Sequence, residues 1–152
     1  MDRVQPVSTN FGLNPLYCAQ KCILIIDDDP LARSILRLLF ETDGYCCVEA
    51  ENGALGLAML EQHQPDLVVT DHNMPILTGI EFLQRLGKKS REQVPAVIFI
   101  SGDSSRELKV QALQSGARAV LEKPYDIDEI RTLANWLLKS EQAVSFDTPL
   151  VN

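Results

Sequence analysis

Five short apolar segments alternate with five longer segments of helical periodicity along most of this chain. The apolar segments are CILII, YCCVEA, DLVVT, AVIFI and RAVLE. Three of them are too continuous to have one face in water, which is typical of strands covered on both faces. Strands that alternate with helices form right-handed βαβ units and therefore a parallel sheet. The alternation predicts a doubly wound α/β fold with five strands and five helices.

The segments between the strands carry the signals of helices with defined ends. Pro30 stands at a first helical position, Gly44 lies past a helix end, and Ser104 opens a capping box with Glu107. The predicted helices cover residues 30–44, 52–64, 78–86, 104–116 and 127–138. The residues expected on inner faces are Leu31, Ile35, Leu38 and Leu39, then Leu55, Ala58 and Met59, then Ile80, Leu83 and Leu86, and in the last helix Ile127, Ile130, Leu133, Ala134, Leu137 and Leu138.

Length and charge limit the classes of protein to which the chain can belong. Its 152 residues suffice for one domain with a single core, which we expect over residues 21–140 between tails at 1–20 and 141–152. A net charge of -7 argues against a nucleic-acid partner, because phosphate binding depends on clustered Lys and Arg. No apolar run approaches the roughly 20 residues that span a bilayer. Without a signal-peptide pattern either, the sequence predicts a cytoplasmic protein with no membrane partner.

The four cysteines raise the question of a metal site or a disulfide. They are Cys18, Cys22, Cys46 and Cys47. Their spacing fits no common zinc pattern, and three of them fall inside predicted strands, where a free Cys behaves as a small apolar residue. We therefore expect free, structural cysteines.

Polar residues follow the predicted strands. In open parallel sheets, ligands bind beyond the carboxyl ends of the strands, where the strand order reverses. The residues at these ends are Asp27, Asp28 and Asp29, then Glu51 and Asn52, then Asp71, then Ser101 and Gly102, then Lys123 and Pro124. Such carboxylates, hydroxyl and amine together could hold a metal, supply a nucleophile and take up the charge of a phosphoryl group.

Several of these residues also have a plain structural interpretation. Asp29 precedes Pro30 and is expected to cap the first helix. Asp71 could form the turn that follows its strand, Ser101 could cap the fourth helix, and Lys123 could be an ordinary surface lysine. Taken singly, none of these residues identifies a site.

Asp27 and Asp28 remain without a structural role of this kind. Repulsion between adjacent carboxylates raises their pKa values unless a cation is present. Mg²⁺ would relieve the repulsion, since it accepts a few carboxylate oxygens and keeps several waters. The acidic pair therefore favours a magnesium site.

Four motifs resemble those of the response-regulator receiver domains of bacterial two-component signalling. They are ILIIDDDPLAR, LVVTDHNMPILTG, VIFISGD and VLEKPYDIDEI, in the family's order between Cys22 and about Lys139. The resemblance implies a flavodoxin-like fold with strand order 2-1-3-4-5. It also implies a phosphoryl-accepting signalling switch rather than a turnover enzyme, although such a switch promotes its own Mg²⁺-dependent phosphorylation and dephosphorylation.

The resemblance assigns a role to each residue that matches the family's motifs. Asp71 would accept the phosphoryl group, Ser101 would hydrogen bond to its oxygens, and Lys123 would pair with them. The implied Mg²⁺ ligands are Asp27 (through water), Asp28, Asp71 and the backbone carbonyl of Asn73. The bond between Lys123 and Pro124 is typically cis in this family.

One position departs from the family's pattern. Receivers that switch by an aromatic swing usually carry Tyr or Phe three residues before the lysine, where this chain has Val120. Burial of an aromatic ring is therefore not available at that position.

The resemblance also implies partners. The phosphoryl donor would be a sensor histidine kinase or a histidine phosphotransfer protein, docking on Leu31, Ala32 and Ile35, and an unidentified downstream protein would bind the phosphorylated form. KPYDIDEIR resembles single-domain phosphorelay regulators, and few residues follow the last predicted helix. We therefore expect a stand-alone receiver, or one cut from a larger protein, that is a monomer or a weak homodimer.

Two alternatives remain open. IIDDDP resembles the motif of haloacid-dehalogenase-like phosphatases, in which Asp27 would be the nucleophile. The chain is short for that fold, however, and VVTDHNMP would have no function in it. A degenerate receiver that serves only as a protein-binding module would need a broken site, whereas this one carries the full set of residues.

Overall fold

The computed structural model describes residues 20–144 and confirms the alternation of five strands with five helices. The strands are β1 Cys22–Ile26, β2 Cys46–Ala50, β3 Leu67–Asp71, β4 Ala96–Ser101 and β5 Ala119–Glu122. The helices are α1 Pro30–Thr42, α2 Gly53–His63, α3 Gly79–Leu86, α4 Arg106–Gln114 and α5 Ile127–Val144, with a short 3-10 helix at Arg91–Gln93. The tails expected at 1–20 and 141–152 lie outside the described residues, apart from residue 20 and residues 141–144.

The strands form one sheet of order β2-β1-β3-β4-β5, in which every neighbouring pair is parallel. The predicted order is therefore confirmed. Strand β2 lies on one side of β1 and strand β3 on the other, so the strand order reverses between β1 and β3. The loops that follow these two strands therefore run in opposite directions and leave a crevice between them. This is the place at which open α/β sheets bind ligands.

Two hydrophobic layers cover the two faces of the sheet. Side chains alternate between the faces along each strand, so Ile23 and Ile25 pack with α1 and α5, whereas Leu24 and Ile26 pack with α2, α3 and α4. Every residue of β3 and β4 is buried. Each fully buried Val, Leu or Ile contributes about 1.5–3 kcal/mol, so these central strands form a rigid support for the loops that follow them.

The inner face predicted for α1 was largely wrong. Its buried residues are Leu36, Leu39 and Phe40, and its exposed apolar residues are Leu31 (67% exposed), Ile35 (44%) and Leu38 (68%). The helix carries two apolar stripes, each with three- and four-residue spacing, and only one of them reaches the sheet.

The inner face predicted for α2 was also wrong. Gly53, Gly56 and Leu60 are buried, whereas Leu55 and Ala58 are exposed and Met59 is only partly buried. The helix lies so close to β1 that a Cβ on Gly56 would be 2.5 Å from Cδ1 of Ile26. The contact therefore depends on small residues rather than large apolar ones.

The other helices agree better with the sequence pattern. The predicted inner residues of α3 are all buried, and those of α5 are buried except for Leu133, which is partly buried, and Ile127, which is 41% exposed. The α5 helix runs to Val144 rather than 138, since no Gly or Pro interrupts it there. Ser105, not Ser104, caps α4 by accepting the Leu108 N–H.

The three cysteines that the structure describes, Cys22, Cys46 and Cys47, are free, as expected. Cys46 is exposed rather than buried, because it begins the edge strand β2. Cys18 lies outside the described residues. Within residues 20–144, no helix has the length and apolarity that crossing a membrane requires.

Candidate functional site

Three carboxylates meet at the carboxyl edge of the sheet. Asp27 and Asp28 follow β1, and Asp71 ends the neighbouring strand β3. One oxygen from each carboxylate lies within 4.8 Å of the other two. Asp27 and Asp71 are each only 5% exposed, whereas Asp28 is open to solvent. The structure therefore brings together the three acids that the sequence indicated.

Main-chain contacts fix the position of Asp27. Its N–H donates to the Ala50 carbonyl at 3.1 Å, and its Oδ1 accepts the Asp29 N–H at 2.9 Å. The Arg33 guanidinium donates to the Asp27 carbonyl. Asp29 itself caps α1 by accepting the Leu31 N–H at 2.9 Å, so its predicted structural role is confirmed.

Burial raises the pKa of Asp27 to about 6. The Asp29 N–H opposes this shift and the nearby Asp71 charge adds to it, while the Lys123 ammonium acts to lower the pKa. Loss of water around the carboxylate therefore matters more than the repulsion between carboxylates that the sequence suggested. The nearby hydrogen bond and ammonium therefore do not fully offset the cost of burying the charged Asp27 carboxylate.

Lys123 places its ammonium against Asp71, with Nζ 3.0 Å from Oδ1. Within residues 20–144, this ion pair is the only partner of that buried oxygen. Burial acts to lower the pKa of Lys123, but the hydrogen bond and the charge of Asp71 outweigh it, so the pKa is raised. The peptide bond between Lys123 and Pro124 is cis, as the resemblance implied.

Ser101 ends β4 and is only 1% exposed. Its Oγ accepts the Asp103 N–H at 3.0 Å, and Asp103 Oδ1 accepts the N–H of Ser105, the α4 cap, at 2.8 Å. The Ser101 carbonyl accepts the Lys123 N–H at 2.9 Å. A short series of hydrogen bonds thus connects Ser101 to the start of α4 and to the end of β5.

The loop from β3 to α3 begins at Asp71 and returns tightly to it. Asn73 is exposed in this loop, two residues after Asp71. The Gly79 N–H donates to the His72 carbonyl at 3.0 Å. A Cβ on Gly79 would lie 2.7 Å from the Asp71 carbonyl oxygen, so only glycine fits there.

Three residues near the site were not assigned a role from the sequence. Arg33 reaches back to the Asp27 carbonyl from α1. Tyr125 is partly buried, and its pKa is raised chiefly by burial, with smaller effects from Lys123 and the acids. The His72 ring packs at 5.4 Å from that of Phe99. Only the position of Arg33, within the first turns of the helix after the acidic pair, could have indicated its contact.

Residues 23–135 match the family described as the response regulator receiver domain. Response regulator Rre1 of Synechocystis sp. is 34% identical over 124 residues, which are 81% of this chain and 54% of that protein. Sporulation initiation phosphotransferase F of Bacillus subtilis is 35% identical over 109 residues, which are 72% of this chain and 86% of that protein. The Francisella response regulator 1452 receiver domain superposes with a TM-score of 0.75 at 32% identity, over 80% of this chain and 99% of that one.

The family match spans most of the chain and all four motifs at the strand ends. The chain spans about half the length of Rre1 and of other curated regulators that it matches. Receiver domains take a phosphoryl group from histidine kinases or phosphotransfer proteins and are generally not turnover enzymes, so the phosphatase alternative is not favoured. The chain belongs to the response regulator receiver domain family, the phosphoryl-accepting switches of two-component signalling.

Proposed function

We propose that this chain is phosphorylated on Asp71 in a Mg²⁺-dependent reaction, with a phosphohistidine of a sensor kinase or phosphotransfer protein as the donor in the cytoplasm. The observation that carries the proposal is the convergence of three carboxylates within 4.8 Å and of the Lys123 ammonium, 3.0 Å from Asp71. The buried strand β3 holds the Asp71 backbone while its carboxylate lies at the edge of the sheet. This arrangement suits a nucleophile that must reach a partner's phosphoryl group.

The donor set fits a hard divalent cation. Asp27 and Asp71 are buried, and burial raises the pKa of Asp27 more than the nearby Lys123 ammonium lowers it, so the carboxylates could accept further positive charge. The ligands that we propose are Asp27 (through water), Asp28, Asp71 and the backbone carbonyl of Asn73. When bound, Mg²⁺ would neutralise charge on the phosphoryl oxygens.

The chain's own residues account for the transfer step. An Asp71 carboxylate oxygen attacks the phosphorus, the new O–P bond forms, and the P–N bond to the imidazole breaks. The imidazole leaves as the neutral base after taking up a proton. Lys123 remains as a counter-ion to the phosphoryl oxygens, and the Ser101 hydroxyl donates to one of them. Attack of water on the acyl phosphate later restores the Asp71 carboxylate.

The switch would act through the hydrogen bonds that begin at Ser101. In the described state the Ser101 hydroxyl accepts from Asp103, which in turn accepts from Ser105 at the start of α4. The hydroxyl could donate to a phosphoryl oxygen and still accept from Asp103, so the switch requires the whole Ser101 side chain to rotate toward the phosphoryl group. Its oxygen then moves away from the Asp103 N–H, and the loop before α4 rearranges. We propose that the downstream protein reads this change at α4 and α5. Val120 makes the change independent of an aromatic swing at that position.

The donor would dock on the exposed start of α1. Leu31 is 67% exposed and Ile35 44% exposed, and Ala32 lies partly exposed between them. These side chains follow the acidic pair directly, so a helical partner lying on them would bring its phosphohistidine close to Asp71. We further propose that residues 21–140 form the whole receiver and act as a monomer or a weak homodimer.

Incubation with Mg²⁺ and acetyl phosphate tests the proposed function by intact mass. The wild-type chain should gain one phosphoryl group, a chelator should prevent the gain, and Asp71→Asn should abolish it. Asp29→Ala is the matched control, because it removes the next acid in the sequence, whose side chain caps α1 and does not belong to the three converging carboxylates. A label that survives Asp71→Asn but disappears in Asp27→Asn would contradict the proposal and favour a phosphatase-like site.

A further inference from the structure

Two thiols lie at the amino-terminal ends of neighbouring strands, at the end of the sheet opposite to the one that carries Asp71. Cys22 starts β1, Cys46 starts β2, and the two residues are Cα partners in the parallel ladder. Partners in register point to the same face of the sheet. Adjacent strands lie about 4.8 Å apart, and disulfides join Cα atoms about 4.4–6.8 Å apart, so this pair falls within the range of a disulfide.

The two thiols differ in exposure and interact with each other. Cys46 is exposed on the edge strand, whereas Cys22 is partly buried. Burial raises the pKa of Cys22 to about 12, with smaller contributions from the hydrogen bond to Cys46 and from neighbouring groups, so Cys22 stays a thiol and the exposed Cys46 is the one that meets an oxidant first. An accessible cysteine beside a second thiol that can resolve it is the arrangement found in reversible redox sites.

Cys47 is not part of this pair. Its ladder partner is Ile23, so it points to the other face of the sheet, where its Sγ lies 4.0 Å from the Arg37 carbonyl oxygen. Burial raises its pKa to about 12. Cys47 therefore offers a control residue next in sequence to Cys46 but directed away from Cys22.

We propose that Cys22 and Cys46 form a reversible disulfide when the protein meets a peroxide, which makes this edge of the sheet a redox-modification site distinct from the phosphoacceptor. The exposed Cys46 thiolate attacks one oxygen of hydrogen peroxide, so an S–O bond forms, the O–O bond breaks and the released hydroxide takes a proton to become water. Cys22 sulfur then attacks the Cys46 sulfenic sulfur. The S–S bond forms, the S–O bond breaks, and hydroxide leaves with the Cys22 proton as a second water. The two thiols together lose two electrons, which the peroxide gains.

The disulfide would tie the edge strand to the sheet. Among the described strands, β2 pairs with β1 alone, so it is held on one side only. The new bond closes the chain between positions 22 and 46 and restricts the unfolded state more than the folded one. The oxidised protein should therefore unfold at a higher urea concentration than the reduced protein.

The test uses the full chain with Cys18→Ser, treated with hydrogen peroxide and mapped by peptide mass spectrometry. We expect loss of two hydrogens, a cross-link between the peptides that carry Cys22 and Cys46, and reversal by dithiothreitol. The cross-link should persist with Cys47→Ser and disappear with Cys46→Ser. The shift of the urea midpoint should follow the same pattern.

Several outcomes would overturn the proposal. They are a bond between Cys46 and Cys47, oxidation only to sulfinic acid, and a mass that peroxide leaves unchanged. Asp71→Asn should form the cross-link as the parent does, so the result is separate from that of the phosphorylation experiment.

Discussion

Lys123 contacts both Asp71 and Ser101. Its ammonium lies 3.0 Å from Asp71 Oδ1, and its main-chain N–H donates to the Ser101 carbonyl at 2.9 Å. The end of β5 is thereby connected to the ends of β3 and β4. A change of charge on Asp71 must alter the ion pair, and the same residue that forms it is held to Ser101. Lys123 is therefore well placed to transmit the state of Asp71.

Lys123→Ala should separate phosphorylation from the response to it. Asp71 keeps its carboxylate and its acidic neighbours, so acetyl phosphate should still label it. Because the counter-ion is absent, the amide signals of residues 103–108 should change little on phosphorylation when followed by nuclear magnetic resonance. Unaltered loop changes, or an unaltered gain in partner affinity, would remove Lys123 from the switch.

Asp27→Asn should stabilise the protein in the absence of divalent cations. The pKa of Asp27 is about 6 in the folded chain against an ordinary value of 3.8. The folded state thus binds this proton more tightly than the unfolded state. The stability of the wild-type protein therefore falls as the pH rises from about 4 to 6, and it falls no further through Asp27 above that range. At pH 7 we expect Asp27→Asn to raise the free energy of unfolding by about 1–2 kcal/mol. This is less than the full pKa shift of Asp27 corresponds to, because water near the exposed Asp28 screens part of the effect.

Urea unfolding at several pH values in the presence of a chelator measures this effect. The stability difference between Asp27→Asn and wild type should grow from pH 4 to pH 6 and then level off. Asp29→Asn serves as the control, since asparagine also caps helices and the substitution likewise removes one carboxylate charge. A pH-dependent difference as large as that of Asp27→Asn would assign the effect to net charge rather than to burial. If the stability difference between Asp27→Asn and wild type were already complete at pH 4, burial would not raise the pKa of Asp27 as proposed.

Gly79→Ala should disturb the phosphoacceptor through its backbone. The added Cβ would lie 2.7 Å from the Asp71 carbonyl oxygen, 2.8 Å from Phe99 Cε2 and 2.9 Å from His72 Cα. Backbone and a packed ring cannot yield as a flexible side chain would, so we expect a loss of about 1–3 kcal/mol in unfolding free energy. The rate of labelling by acetyl phosphate should fall as well.

Gly87→Ala provides the comparison for that substitution. Its Cβ would meet backbone oxygens of Leu83 and Gln84 at 3.5 and 3.6 Å, which is ordinary contact. We expect a change within about 0.5 kcal/mol and an unchanged labelling rate. Equal effects from the two glycines would show that the close approach at Gly79 does not constrain Asp71.

Leu31→Ser should weaken phosphotransfer from a protein donor but not from acetyl phosphate. Leu31 is 67% exposed, so its loss should change stability by no more than about 0.5 kcal/mol while removing apolar area from the docking face. Rapid-quench measurement of transfer from a phosphorylated histidine protein would report the difference. Leu38→Ser is the matched control, because Leu38 is 68% exposed but lies about 10 Å further along the helix. Equal losses in both variants would exclude a docking face limited to the start of α1.

The strands could be predicted more reliably than the helix faces. A continuous apolar run in a parallel sheet has both faces buried, so the choice of face does not arise for β3 and β4. A helix presents a choice, and α1 has two stripes of equal apolar character. The sheet selects the stripe through Leu36 and Leu39, which depends on tertiary packing. In α2 the contact depends on Gly56, which a search for large apolar residues overlooks.

The candidate site could be assembled from the sequence because each of its groups is the last residue of a strand or directly follows one. Parallel strands bring their carboxyl ends to one edge, so position along the chain predicts position in space for Asp27, Asp71 and Lys123. Contacts made by residues inside a helix or loop could not be predicted in this way. Arg33 reaches the site from α1, and the pKa of Asp27 depends chiefly on how much water the folded chain removes.

The sheet also separates the two hydrophobic layers, which has a mechanical consequence. One layer contains α1 and α5, the other contains α2, α3 and α4, and five hydrogen-bonded strands lie between them. A rearrangement before α4 would first shift residues of its own layer and would reach α1 only across the hydrogen-bonded sheet. The proposed donor-docking residues of α1 and the proposed rearrangement before α4 therefore lie on opposite sides of the sheet, so a change in the α4 contacts need not disturb the docking residues. Of the two helices at which we propose that the change is read, only α5 shares the layer of α1.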